Sequence, residues 1–154
     1  MKNENQSVGQ ASRLSEHSWR RHLPHYQLSV GYCFITFAAH NRLILQSSQK
    51  DCVFHALRFL DGKKYELYAA VALDDHVHII INPTNTLSKI MHSIKSFTAH
   101  EINKMLNRMG KVWQDESHDR VIRSEDEFLE KINYIANNTI KANAFYCQAR
   151  RLSY

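Results

Sequence analysis

The spacing of apolar and polar positions changes repeatedly along the chain, and each change predicts an element. Past Pro24, Tyr32, Phe34 and Thr36 alternate with Cys33, Ile35 and Phe37, the period of a buried or half-buried strand. From about Gln49 to Leu60 the period lengthens: Val53, Leu57 and Leu60 share a helical stripe that Asp61-Gly62 closes. Tyr65 to Leu73 reads as a second strand, Asp74-Asp75 as a tight turn and His76 to Asn82 as a third strand, together a hairpin. Leu87, Ile90, Met91, Ile94, Phe97, Ile102, Met105 and Leu106 then predict an amphipathic helix from Leu87 to about Met109, with Thr86 as N-cap. A short irregular strand region over Val112 to Ile122 leads to Ser124. Ser124 and Glu127 have capping-box spacing, and Glu125-Asp126 suit a helix N-terminus, so a last helix is expected from Glu125 to Ala144. The first six elements follow the split βαβ plan. The predicted fold is α+β and ferredoxin-like: an antiparallel sheet with two helices on one face and an added C-terminal helix. Residues 1–20 read as a mobile polar tail and 21–154 as a single domain.

Composition narrows the function classes. A chain of 154 residues, 44% hydrophobic and 23% charged, is one folded domain. Its four glycines are too scattered to build a phosphate-cradling loop, which excludes Rossmann and P-loop enzymes and with them a nucleotide cofactor. The longest apolar runs are strand-sized, well short of the roughly 20 residues that span a bilayer, so no membrane partner is expected. Three cysteines without a Cys-x-x-Cys pair support neither a disulfide framework nor a zinc ribbon, and point to a cytoplasmic location. The formal charge of +5 favours an anionic partner. Ten histidines are about twice the number average usage would give.

Three constellations could carry chemistry. In His76-Val77-His78 strand alternation puts both imidazoles on one face, with Cα atoms about 6.6 Å apart, a spacing that can hold a divalent metal. The same pattern also suits two polar residues on the solvated face of a hairpin. On the last helix Phe128, Leu129, Ile132, Ile135, Ala136 and Thr139 form the apolar stripe, and Tyr134 falls well off it, beside Asn138, Lys131 and Lys141. A tyrosine that served only packing would sit with Ile132 and Ile135. Among lysines that stabilise a phenolate, Tyr134 suits a nucleophile. On the middle helix Lys89, His92, Ser93, Ser96, His100 and Asn103 recur at three- and four-residue steps, and the segment 86–111, which also holds Lys95, has a local charge of +4. This stripe, with Arg20 and Arg21, suits phosphate binding, although a solvated helix face would look the same. Residues 115–130 hold seven acids against Arg120 and Arg123, so charge is segregated along the chain.

These features occur in an order that resembles the single-tyrosine HUH (His-hydrophobe-His) transposases, in particular the REP-associated tyrosine branch. The resemblance runs from about Arg21 to Asn143. It is carried by Arg21-His22-Leu23-Pro24-His25-Tyr26, by His76-Val77-His78-Ile79-Ile80 and by Ile94-Lys95-Ser96-Phe97-Thr98. Val112-Trp113-Gln114, His118-Asp119-Arg120-Val121-Ile122-Arg123 and Tyr134-Ile135-Ala136-Asn137-Asn138 extend it. It implies a DNA transposase, an endonuclease and strand transferase acting on single-stranded DNA with hairpin structure. His76, His78 and Asn138 would hold Mg²⁺ or Mn²⁺, and Tyr134, on what would be a catalytic helix, would attack phosphorus to leave a 5′-phosphotyrosine link. Arg20, Arg21, Lys89, His92, Ser93, Lys95, Ser96, His100, Arg120, Arg123 and Lys141 would contact DNA. Some relatives act as swapped homodimers, and the sequence leaves monomer and homodimer open. The chain departs from the branch at Thr139, where proline is common, and at Asn143, where glycine is frequent. Two other readings fit the same residues: a domesticated DNA-binding protein that no longer cuts, and a metal-dependent hydrolase in which Tyr134 is dispensable.

Overall fold

A computed structural model describes residues 31–142 and 145–147, with side chains as far as Thr139. The expected 1–20 tail, Arg20, Arg21, the side chain of Lys141 and Asn143 lie outside the described residues. Strand β1 (Cys33–Ala39) is followed by a 3-10 turn (His40–Arg42), helix α1 (Ser47–Leu60), and strands β2 (Tyr65–Ala72) and β3 (His76–Pro83). Helix α2 (Leu87–Met105), strand β4 (Trp113–Val121), helix α3 (Glu125–Ala142) and strand β5 (Phe145–Cys147) complete the order. The strands pair antiparallel in the order β4-β1-β3-β2-β5, so the first four have the expected split βαβ arrangement and β5 extends it by one short strand.

Strand alternation gives the sheet two apolar faces. Ile35, Phe37, Leu67, Val77, Ile79 and Ile81 pack under α1 and α2, against Val53, Leu57, Ile90, Ile94 and Ile102. On the other face Ala69, Val71 and Ile80 meet Phe128, Ile132 and Ile135 of α3, with Tyr32, Phe34 and Tyr68 at the margin. Polar groups inside the first layer are paired: the Trp113 indole N–H donates to Thr98 Oγ1 (2.8 Å), which itself donates to the Ile94 carbonyl (2.7 Å). The hairpin turn is held from beneath. Buried Lys50 donates to Asp74 Oδ1 (2.7 Å), while the Asp74 and Asp75 carbonyls accept from the Leu45 and Ala39 N–H groups at 2.6 and 2.7 Å.

Several boundaries differ from the sequence expectation. Helix α2 ends at Met105, not Met109, because Asn107 turns to a φ of 47° and the Asn103 side chain donates to the Gly110 carbonyl (2.8 Å). Met109 is consequently 92% exposed. Thr86 occupies the N-cap position of α2 but its side chain makes no cap bond. The region expected as short and irregular is a nine-residue strand, with a register shift against β1 between Phe37 and Ala39. At the start of α3, Ser124 Oγ accepts the Glu127 N–H (3.1 Å) as a capping box requires. The Glu127 carboxylate, however, takes the Arg123 N–H (3.0 Å). Helix α3 continues through Thr139, whose hydroxyl bonds the Ala136 and Ile135 carbonyls at 2.6 and 3.2 Å. Proline there would lack the backbone N–H that a continuing helix uses.

Candidate active site

On the α3 face strands β1 and β3 bring a cluster of rings together. In β3 the residues Val77, Ile79 and Ile81 point to the α1/α2 core, so His76 and His78 point the other way, as the alternation predicts. Their rings lie 4.7 Å apart, centroid to centroid. Register pairs Thr36 of β1 with His78, and Thr36 Oγ1 lies 2.7 Å from His78 Nδ1. Phe34, one step along the same face of β1, stacks on the His78 ring with centroids 5.4 Å apart and planes 19° apart.

The packing gives the two imidazoles different surroundings. His78 is 5% exposed, and burial, with the neighbouring His76 adding to it, lowers its pKa to about 4. It is therefore neutral at physiological pH, the form that donates a lone pair. Its Nε2 is buried without a hydrogen-bond partner. His76 sits at the mouth of the cluster, its side chain 32% exposed, with Nδ1 2.6 Å from Asp75 Oδ1.

Helix α3 adds the remaining groups. The Tyr134 ring meets His78 edge-on at 5.3 Å and Phe34 edge-on at 6.0 Å, while the residue stays 47% exposed. Its placement combines the two sequence expectations: off the apolar stripe, yet with one side of the ring packed. One turn on, Asn138 has an amide Nδ2 that is buried without a partner. One turn back, Lys131 Nζ lies 5.5 Å from the Phe34 ring and 3.1 Å from Glu130 Oε1. The donor set fits a divalent cation: one neutral imidazole with an unpaired nitrogen, a second beside it, and an amide whose rotation exchanges its nitrogen for an oxygen.

The basic stripe is not brought to this cluster. Helix α2 lies under the opposite face, and its polar side chains divide between two neighbourhoods. Ser93 turns toward α1, where Lys64 Nζ donates to its hydroxyl (2.8 Å). His92, Lys95 and Ser96 border an open cleft of about 550 Å³ beside β4. The Lys95 ammonium donates to the Gln114, Asp115 and Glu116 carbonyls (2.9, 3.2 and 3.2 Å). Burial lowers its pKa against the pull of Asp115. Lys89 and His100 are exposed, His100 lying 3.9 Å from Glu101. Arg120 shares the ring-cluster face, since it pairs with Phe34 in register, and its guanidinium is 2.7 Å from Glu127. Arg123 is exposed just before α3.

Sequence reasoning missed Thr36, Asp75 and the Phe34 platform. Asp75 adjoins His76 in the sequence and was readable as a neighbour. Thr36 and Phe34 become neighbours of His78 only through the β1–β3 register. No helix among the described residues is long and apolar enough to cross a membrane.

Known proteins with this architecture give the context. No curated protein matches the chain. Among solved structures, a REP-associated tyrosine transposase bound to a REP hairpin is 24% identical, with a TM-score of 0.62, over 77% of this chain and 72% of that one. A proposed transposase from Deinococcus radiodurans r1 is 19% identical, with a TM-score of 0.51, over 74% of this chain and 94% of its own. These likenesses are of fold. The family described as Transposase IS200 like matches residues 26–138, a span that contains the whole ring cluster and ends on Asn138, and the chain belongs to that family.

Proposed function

We propose that this transposase cuts and rejoins single-stranded DNA next to a hairpin, with Tyr134 as nucleophile. The observation that carries the reading is convergence: the Tyr134 ring lies against His78, itself 4.7 Å from His76, so a phenol and two imidazoles from different elements meet on one sheet face. The related fold that binds a REP hairpin supports the substrate class.

His76, His78 and Asn138 would hold Mg²⁺ or Mn²⁺, which when bound supplies positive charge to the scissile phosphate. The chain's own groups do the rest. Tyr134 loses its proton to solvent through its exposed side as it attacks. The phenolate oxygen forms a bond to phosphorus as the bond to the 3′ oxygen breaks. That oxygen takes up a proton and leaves as a 3′-hydroxyl, with the 5′ phosphate esterified to Tyr134. Attack by a 3′-hydroxyl reverses the step, so no nucleotide hydrolysis is required. Phe34 and His78 limit the swing of the Tyr134 ring and orient its oxygen. Arg120 and Arg123 would hold phosphates on the α3 side. Lys89, His92, Ser96 and His100, with Arg20, Arg21 and Lys141, would hold more distant ones.

The test is incubation of end-labelled hairpin DNA with the protein and Mg²⁺ or Mn²⁺, followed by a denaturing gel. A covalent protein–DNA adduct from the wild type and none from Tyr134→Phe is the expected result. Cleavage that survives Tyr134→Phe would refute the nucleophile and favour a metal-dependent hydrolase. Binding without cleavage by either protein would leave a DNA-binding protein that no longer cuts.

A further inference from the structure

We infer that Asp75 and Thr36 are positioning residues that hold His76 and His78 in the tautomer with hydrogen on Nδ1, so that both Nε2 lone pairs are offered to one divalent cation. This rests on the metal-binding reading above and adds two residues to it.

The argument for His76 follows from the partner's chemistry. Asp75 Oδ1 lies 2.6 Å from His76 Nδ1, and an ionised carboxylate only accepts hydrogen bonds. Nδ1 therefore carries the hydrogen, and in the neutral ring the lone pair is on Nε2. The backbone that presents Asp75 is anchored on both sides of the turn. The Asp75 carbonyl accepts the Ala39 N–H at 2.7 Å, and the adjacent Asp74 is pinned by Lys50 and by the Leu45 N–H.

For His78 the deciding atom is the nitrogen that Thr36 does not touch. Thr36 Oγ1 lies 2.7 Å from Nδ1, and a hydroxyl can donate or accept. Nε2 is buried without a partner, among the rings of His76, Phe34 and Tyr134. As an N–H it would be a stranded donor, and no acceptor stands beside it. As a lone pair it is satisfied the moment a cation arrives. Asn138, one turn beyond Tyr134, brings a second unpaired buried polar atom, and rotation of its amide turns that position into an oxygen. Hydrogen-bonded partners of metal-binding histidines commonly change metal affinity by about 10- to 100-fold when removed.

Two measurements test this on the full-length protein. Nitrogen-15 NMR of the imidazoles in metal-free protein reads the tautomer directly, and Mn²⁺ titration followed by calorimetry or electron paramagnetic resonance reads affinity. The expected wild-type spectrum has Nδ1–H on both rings. Thr36→Val, which keeps the side-chain shape, should shift His78 toward Nε2–H and weaken Mn²⁺ about tenfold, with Thr36→Ser restoring both. Asp75→Ala should do the same at His76, and Asp75→Asn, which keeps an acceptor oxygen, should lose less. An Nε2–H tautomer on either ring of the wild type, or variants that leave tautomers and Mn²⁺ affinity unchanged, would overturn the inference. Nδ1–H on both rings in a wild type that binds no Mn²⁺ would uphold the two hydrogen bonds and overturn the cation reading instead.

Discussion

Acidification should destabilise the fold through His78 in particular, by an amount that follows from its burial. In the folded chain the ring titrates at about 4, against about 6.5 when unfolded and solvated. Below pH 6.5 the unfolded chain therefore binds a proton that the folded chain refuses, and stability falls as pH falls. The loss begins near 6.5 and levels off near 4, where the folded ring also protonates. The gap, at about 1.4 kcal/mol per pH unit, amounts to roughly 3 kcal/mol for a ring this well buried. Carboxylates titrate at the acid end of the same range, so the contribution is isolated by difference. Urea unfolding would be measured with chelator from pH 7.5 to pH 4 on the wild type and on His78→Gln, which has no group titrating there. The wild type should lose about 3 kcal/mol more than the variant across this interval. Parallel curves for the two proteins would refute the assignment of a neutral, buried His78.

Two further outcomes follow from charge placement. The Lys50–Asp74 pair is asymmetric, with side chains 8% and 66% exposed, so its two halves should respond unequally. Asp74→Ala strands a buried ammonium and should cost about 2 kcal/mol in chemical unfolding, whereas Lys50→Met, which leaves a solvated carboxylate, should cost under about 1; equal losses would contradict this. In DNA binding, Arg123→Ala and Lys89→Ala should each flatten the plot of log affinity against log salt by about 0.7 for a single strand. Lys95→Met should leave the slope unchanged, because three backbone carbonyls already hold that ammonium. A reduced slope in Lys95→Met would show that this contact yields to phosphate.

The elements most legible in the sequence were those in which burial imposes a clear period on the side chains. Ile35 and Phe37 against Phe34 and Thr36 announce β1, and Phe128, Ile132 and Ile135 announce α3, because burial imposes the period. The end of α2 was not legible, since Met105, Leu106 and Met109 continue the apolar pattern into residues that the structure leaves exposed. The backbone at Asn107, not any change in hydrophobicity, ends that helix. At the candidate site His76, His78, Tyr134 and Asn138 were singled out by spacing and resemblance. Thr36 and Phe34 were hidden because their proximity to His78 depends on strand pairing 42 and 44 residues away in the chain. Spacing also grouped Ser93 with His92 on one helical stripe, but only the packed neighbours show that Lys64 claims the serine.

Among the described residues β4 stands at an outer margin of the sheet, and that position gives the acidic stretch a physical role. An outer strand exposes a row of unpaired backbone groups to which another chain can add, and β4 is nine residues long. Asp115, Glu116 and Asp119 stand exposed along it. Two copies approaching edge to edge would bring these carboxylates together, so the margin resists the cross-chain pairing that begins aggregation.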